Sequence, residues 1–196
     1  MMINVTLDMN CIIDLENGKG AATHVESLIK SYETGKIKLR VVAISASEKK
    51  RDGTYASNFS EFKNRIAAIG LGRAEILKPL GYLGITYYDW CVSARDENDP
   101  MMNLERKIHE TLFPEIQFSY KEFCQKNGVG INSVPIDPRW RNPKCDVLSL
   151  WSDIYYGSGI FVTRDTNFHE PMKKCSLIAL GAGEILEPKD AVMHTH

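Results

Sequence analysis

Four acidic residues lie at places in the chain where a ligand site could form. Asp8 directly follows an apolar stretch, Glu48 lies four residues past a second stretch, and Asp165 lies two residues past a third. Asp146 stands at the start of a helical pattern that precedes the third stretch. If the three stretches are parallel strands of one sheet, their carboxyl ends share one edge, where ligands bind in open α/β sheets. We therefore expect the four carboxylates to converge at that edge.

Converging carboxylates favour a divalent cation. Like charges raise one another's pKa values, and a bound cation removes this repulsion. Mg²⁺ and Mn²⁺ prefer hard oxygen ligands and lower the pKa of a bound water, so the chemistry indicated is phosphodiester hydrolysis. Taken singly, Asp146 could be a helix N-terminal acid, Asp165 a loop cap and Glu48 part of a solvated charged run. Only their joint placement predicts a site.

Two basic stretches flank these acids and could bind the phosphates of a nucleic acid. Arginine pairs with phosphate through a planar fork, and a tryptophan ring can stack on an unpaired base. The alternative is that the tryptophan packs against the core while the arginines are solvated, and the sequence leaves both interpretations open. The residues concerned are Lys49, Lys50 and Arg51 after Glu48, and Arg139, Trp140 and Arg141 before Asp146.

The elements that must position the acids read as alternating strands and helices. In the first part of the chain, the pattern predicts a strand at 3–7, a helical turn at 10–16, a helix at 21–33 and a strand at 38–44. In the last part, it predicts a helix at 145–156, a buried strand at 160–163, a further strand at 176–180 and a short tail around Pro188. This succession implies parallel βαβ units. The predicted fold class is α/β, a three-layer sandwich with a mainly parallel central sheet.

The middle of the chain, residues 52–142, has a different pattern. It predicts helices at 58–69 and 100–112, a Gly-rich stretch at 70–84, and a shorter helix opened by the capping-box pattern that starts at Ser119. We interpret it as a mostly helical insertion beside the sheet. The chain is then one domain, with a core formed by residues 1–51 and 143–196.

Composition excludes several classes of protein. The chain has 24 basic and 25 acidic residues, so a broadly basic nucleic-acid-coating protein is excluded. No apolar run approaches the ~18–20 residues needed to span a bilayer, and the first residues do not resemble a signal peptide. We expect a cytoplasmic protein without a membrane partner. The five cysteines lack a CxxC pair, so neither a disulfide framework nor a cysteine zinc site is expected.

Two segments resemble the PIN domain family. Residues 3–15 contain an apolar strand, Asp8 and an apolar turn, whereas residues 146–168 run from Asp146 through a helix and an apolar strand to Thr163-Arg164-Asp165 and Phe168. Glu48 resembles the family's glutamate after the second strand. The resemblance implies an Mg²⁺- or Mn²⁺-dependent endoribonuclease for single-stranded RNA. The implied catalytic and metal-site residues are Asp8, Glu48, Asp146 and Asp165.

The same resemblance implies supporting residues and partners. Asn10 and Thr163 would be polar supporters of the site, and Asn167 stands where many members of the family carry a further aspartate. This departure predicts a metal site with fewer acidic ligands, or weaker activity. Because the family includes toxins of toxin–antitoxin pairs, an antitoxin-like protein is an expected class of partner, alongside RNA. A second copy of the chain is also left open as a partner.

Two other functions compete with the nuclease hypothesis. A strand-end aspartate also begins the haloacid-dehalogenase-like phosphatases, but these carry a second aspartate two positions later, where this chain has Asn10. The other alternative is a non-catalytic PIN-like module that binds RNA or protein. Among the remaining acids, we interpret Asp14 and Glu16 as surface residues and Asp153 as too far along its helix to join the site.

Overall fold

A sheet of parallel strands organises the part of the chain that the computed structural model describes, residues 2–47, 58–132 and 135–195. Within these residues the sheet has five strands in the order β3-β2-β1-β4-β5, and every neighbouring pair is parallel. The prediction of an α/β fold with a mainly parallel sheet is confirmed. The strands are β1 (Ile3–Leu7), β2 (Ile37–Val42), β3 (Glu75–Leu77), β4 (Ile160–Val162) and β5 (Glu184–Leu186).

The strand order places a topological switch point between β1 and β4. From β1 the chain builds outward to β2 and β3, and it then crosses back to place β4 on the other side of β1. The register pairs Leu7 with Val162, so both strands end at the same height. Ligand sites of open α/β sheets lie outside the carboxyl ends of the strands at such a point.

Helices cover both faces of the sheet and make it the middle of three layers. Alternate strand residues face opposite ways, so Val5 and Leu7 pack in one core while Phe161 packs in the other. The first core holds α1 (Met9–Asn17), α2 (Ala22–Glu33), α3 (Phe59–Ala68) and α9 (Pro188–Thr195). The second holds α4 (Pro100–Leu112), α5 (Tyr120–Asn127), α6 (Pro138–Tyr155), α7 (Thr166–His169) and α8 (Pro171–Ala179).

The end of the chain differs from its prediction. Residues 176–180 were expected to form a strand, but they belong to α8 and the turn that follows it. Pro171 occupies the first turn of α8, and only Leu177 of this helix is buried. A short apolar run does not by itself distinguish a strand from a helix, which explains the error. The strand comes later, as β5, and the expected tail around Pro188 is helix α9.

The middle of the chain contributes to the sheet as well as to the helices. The helices predicted at 58–69 and 100–112 are confirmed as α3 and α4, and the capping box of Ser119 and Glu122 opens α5. Strand β3 was not predicted, because three residues are too few to show an alternating pattern. It pairs with β2 through Arg40 and Glu75, so part of the predicted insertion forms one edge of the sheet.

Helix α6 begins earlier than the sequence predicted. Asp137 caps it by accepting a hydrogen bond from the Arg139 N–H at 2.9 Å, and the helix continues through Pro143. The prediction started at Cys145 because a proline usually ends a helical pattern. Asp146 therefore lies about two turns inside α6, and its interpretation as a first-turn acid is wrong. No helix of the described residues has the length and apolarity needed to cross a membrane.

Candidate acidic site at the carboxyl edge of the sheet

Two aspartates reach the edge because each ends a strand and caps the following helix. Asp8 follows β1, and its Oδ1 accepts a hydrogen bond from the Met9 N–H at 2.8 Å. Asp165 follows β4 and caps α7, accepting a hydrogen bond from the Asn167 N–H at 2.9 Å. Since β1 and β4 are neighbours in register, the two aspartates lie at the same edge of the sheet.

A pocket of about 260 Å³ opens at this edge. Three of the four predicted acids line it: Asp8 from the end of β1, Asp146 from α6 and Asp165 from the end of β4. The fourth, Glu48, lies outside the described residues, as do Lys49, Lys50 and Arg51. The other lining residues are Met9, Asn10, Ile13 and Arg164.

A buried hydrogen-bond network holds the Asp8 carboxylate. Its Oδ2 accepts hydrogen bonds from Asn10 Nδ2 at 2.5 Å and from Thr163 Oγ1 at 2.7 Å. Asn10 also receives a hydrogen bond from the Arg164 N–H at 3.1 Å, and the Asp165 N–H donates to Thr163 Oγ1 at 3.1 Å. The two residues predicted as supporters, Asn10 and Thr163, thus link the strand ends that carry Asp8 and Asp165.

Asp8 is electrostatically unusual. Its pKa is raised from 3.8 to about 6, because burial and, to a smaller extent, the negative charge of Asp165 outweigh the lowering effect of hydrogen bonds from Thr163 and Met9. Only 4% of Asp8 is exposed. A cation bound in the pocket would therefore favour the ionised form of Asp8.

The donor chemistry of the pocket fits a hard divalent cation. Asp8, Asp146 and Asp165 line one pocket, and carboxylate oxygens are ligands that Mg²⁺ and Mn²⁺ prefer. Within residues 2–47, 58–132 and 135–195, however, no three His, Cys, Asp or Glu side chains are already grouped to hold one metal ion. A metal would have to draw these acids closer or use additional ligands.

Arg164 and Asp14 are neighbours of the site that the sequence did not single out. Arg164 lines the pocket, and its guanidinium makes a two-point contact with Asp14, with Nε–Oδ2 at 2.6 Å and Nη2–Oδ1 at 2.7 Å. Asp14 is 5% exposed and also accepts a hydrogen bond from the Ala21 N–H at 3.0 Å, so its prediction as a surface acid is wrong. The sequence signal that could have identified Arg164 is its position between two predicted site residues, Thr163 and Asp165.

The basic stretch before Asp146 does not line the pocket. Trp140 is 2% exposed and donates a hydrogen bond from Nε1 to the Gln117 carbonyl at 2.9 Å, so of the two interpretations left open for this residue, packing against the core fits the structure and stacking on a base does not. Arg141 is also buried and donates to the Ser47 carbonyl, which is at odds with a predicted role in binding phosphate at the surface. Arg139 is exposed and pairs with Asp137 at 2.7 Å.

The remaining predicted residues lie beside the pocket or away from it. Asn167 is half-buried in α7 and does not line the pocket, although its N–H donates the hydrogen bond by which Asp165 caps α7. Asp153 is fully buried and accepts a hydrogen bond from Thr6 Oγ1 at 2.6 Å, and it too is absent from the lining. Burial of Asp153 raises its pKa to about 6.

Comparison with family models, curated proteins and solved structures finds no match to this chain. The resemblance to PIN domains therefore stays a prediction.

Proposed function

We propose that this protein is a metal-dependent endoribonuclease that hydrolyses phosphodiester bonds in single-stranded RNA. The observation that carries the proposal is the shared pocket of Asp8, Asp146 and Asp165 at the switch point of a parallel sheet. The class of substrate comes from the resemblance of the two strand-end segments to PIN domains.

The residues of the pocket have distinct roles in this proposal. Asp8, Asp146 and Asp165 would hold Mg²⁺ or Mn²⁺, with Glu48 as the fourth acid. Asn10 and Thr163 orient Asp8, because both donate hydrogen bonds to its Oδ2. When bound, such a metal supplies an acidified water and neutralises the charge that develops on the leaving oxygen.

One observation favours the second candidate, a non-catalytic PIN-like module. Both oxygens of Asp8 already accept hydrogen bonds, from the Met9 N–H and from the Asn10 and Thr163 side chains, so its position is also explained without a bound metal. The phosphatase alternative has less support, because Asn10 directs its amide to Asp8 and carries no acidic proton to donate to a leaving group.

The test compares metal binding and RNA cleavage in matched variants. We expect Asp8→Asn and Asp165→Asn to weaken Mn²⁺ binding in calorimetry, because each replaces a carboxylate with a neutral amide. We also expect cleavage of a short fluorescent single-stranded RNA to fall by more than the ~10–100-fold typical of losing an outer-shell partner. Asp89→Asn is the control, since Asp89 is exposed and is not one of the residues that line the pocket.

Three results would contradict the proposal in different ways. Full Mn²⁺ binding and full cleavage by Asp8→Asn would exclude Asp8 as a ligand. Binding of Mn²⁺ or RNA by the wild-type chain without cleavage of any single-stranded RNA, in either metal, would support the non-catalytic module instead. Equal cleavage of a duplex of the same sequence would refute the selectivity for single strands.

A further inference from the structure

We propose that Arg164 is the phosphate-binding residue of the pocket and contacts a phosphodiester oxygen of single-stranded RNA. The inference rests on the proposed function, which identifies the ligand as RNA. Its own basis is the position of Arg164, the basic member among the described lining residues of a pocket that also contains Asp8, Asp146 and Asp165. A phosphodiester entering among these acids is repelled unless cationic groups meet it.

The side chain of Arg164 is both reachable and oriented. It is 42% exposed, whereas the Asp14 side chain that holds it is 7% exposed. The contact with Asp14 uses the edge of the guanidinium formed by Nε and Nη2. A guanidinium carries five N–H donors in one plane, so the edge that includes Nη1 still has donors for a phosphate.

Asp14 is itself held in place by the loop that follows α1. The Ala21 N–H donates to its Oδ2, and a Cβ built at Gly20 would come within 2.7 Å of its Oδ1. Gly20 also has a φ of +58°, in the left-handed region that glycine adopts readily. The loop therefore wraps the carboxylate closely and leaves Arg164 little freedom, which lowers the entropy lost when a phosphate binds.

A purely structural ion pair is the competing explanation. In that case Arg164 only ties the loop after β4 to α1, and its loss lowers stability without changing the interaction with RNA. The two explanations differ in the salt dependence of binding. Each phosphate contact on a single strand contributes about 0.7 to the slope of log K against log salt concentration, because counterions are released.

The experiment measures binding of a fluorescein-labelled oligouridylate in EDTA, by anisotropy, over a range of salt concentrations. We expect Arg164→Ala to weaken binding and to reduce the salt slope by about 0.7, the value for one lost contact. Arg73→Ala is the matched control, because it removes the same charge from an exposed residue. Arg73 lies just before β3, at the amino end of the strand, whereas the pocket lies at the carboxyl ends of β1 and β4. The control should keep the wild-type slope.

Two further variants separate charge from geometry and protect the test against misfolding. Arg164→Lys keeps the charge but loses the planar fork, so we expect weaker binding with a nearly unchanged slope. Arg164→Gln keeps a donor for Asp14 and removes the charge, so it should show the reduced slope even if Arg164→Ala does not fold.

The outcomes distinguish this inference from the proposed function. Wild-type slopes in Arg164→Ala and Arg164→Gln, or no RNA binding by the wild-type chain in EDTA, would overturn the phosphate contact. Cleavage by the wild-type chain would in that event still support the nuclease. Conversely, a reduced slope in a protein that cleaves no RNA in Mn²⁺ would support the phosphate contact and contradict the nuclease.

Discussion

Asp8 combines two tasks that favour opposite environments. As the cap of α1 it is buried and accepts three hydrogen bonds, and as a proposed metal ligand it must be negatively charged. Burial alone favours the protonated form, whereas hydrogen bonds and a cation favour the ionised form. In the metal-free protein, burial therefore destabilises the ionised form of Asp8.

The destabilised ionised form of Asp8 predicts an unusual dependence of stability on pH. The pKa of Asp8 is raised from 3.8 to about 6, so the folded state binds this proton more tightly than the unfolded state. Unfolding free energy in EDTA should therefore fall as the pH rises from about 4 to about 6, by up to about 3 kcal/mol from this residue. Asp153, whose pKa is also raised to about 6, adds to the fall over the same range.

Urea unfolding at several pH values would check this expectation. Asp8→Asn has no carboxylate to ionise, so its stability should vary less with pH than that of the wild type. Asp89→Asn is the matched control, because it removes a carboxylate from an exposed position. A pH dependence in Asp8→Asn equal to that of the wild type would show that Asp8 ionises normally in the folded protein.

Helices α4 and α6 are joined by a fully buried ion pair between Glu105 and Lys144. The second carboxylate oxygen of Glu105 accepts a hydrogen bond from the Tyr82 hydroxyl at 2.8 Å, and the ammonium of Lys144 lies 4.1 Å from the centre of the Phe118 ring. Burial raises the pKa of Glu105 and lowers that of Lys144, against their mutual attraction. Since Lys144 is two residues from Asp146, this pair also anchors the part of α6 that lines the pocket.

Breaking this pair should cost more than replacing it. We expect Lys144→Met alone to lower the unfolding free energy by about 3–5 kcal/mol, because Glu105 is then a buried charge without its cation. The double variant Lys144→Met, Glu105→Leu should lose less, although the Tyr82 hydroxyl loses its acceptor at a cost of about 1 kcal/mol. Urea unfolding of both variants measures the difference, and a double variant less stable than Lys144→Met would contradict this account.

At the scale of the whole molecule, the site depends on how closely β1 and β4 approach. Gly159 stands directly before β4, and a Cβ at this position would overlap the carbonyl oxygen of Asn4 in the neighbouring strand segment. That contact is with backbone, so no side-chain rotation relieves it. The strand pair that brings Asp8 and Asp165 to one edge therefore requires glycine at this position.

Gly159→Ala should consequently be far more harmful than Gly157→Ala in the same loop. Gly157 has a φ of +86° but open space around its Cα, so alanine there should cost about 1–2 kcal/mol for the left-handed backbone alone. Gly159→Ala should exceed about 4 kcal/mol and reduce Mn²⁺ binding, since β4 must shift against β1. Thermal midpoints of the two variants measure this, and equal losses would mean that β4 accommodates the methyl group.

Local patterns were sufficient to predict elements whose signals lie within the element itself. Helices α3, α4 and α5 have caps and apolar stripes that can be recognised in sequence, and β1 alternates apolar and polar residues. Strands β3 and β5 have three residues each and no such pattern. Pairing with β2 and β4 is what makes them strands, and pairing partners are distant in sequence.

By itself, the sequence determined that Asp8 and Asp165 follow strands, because an apolar strand and the polar residue that ends it are adjacent in the chain. Only the tertiary structure decided which strands are neighbours, and hence that these two acids share a pocket with Asp146. It also decided that Trp140 is buried and that Arg164 lies between Asp14 and the pocket. Burial and ion pairing depend on residues that meet only when the sheet and its covering helices pack, so no local pattern could reveal them.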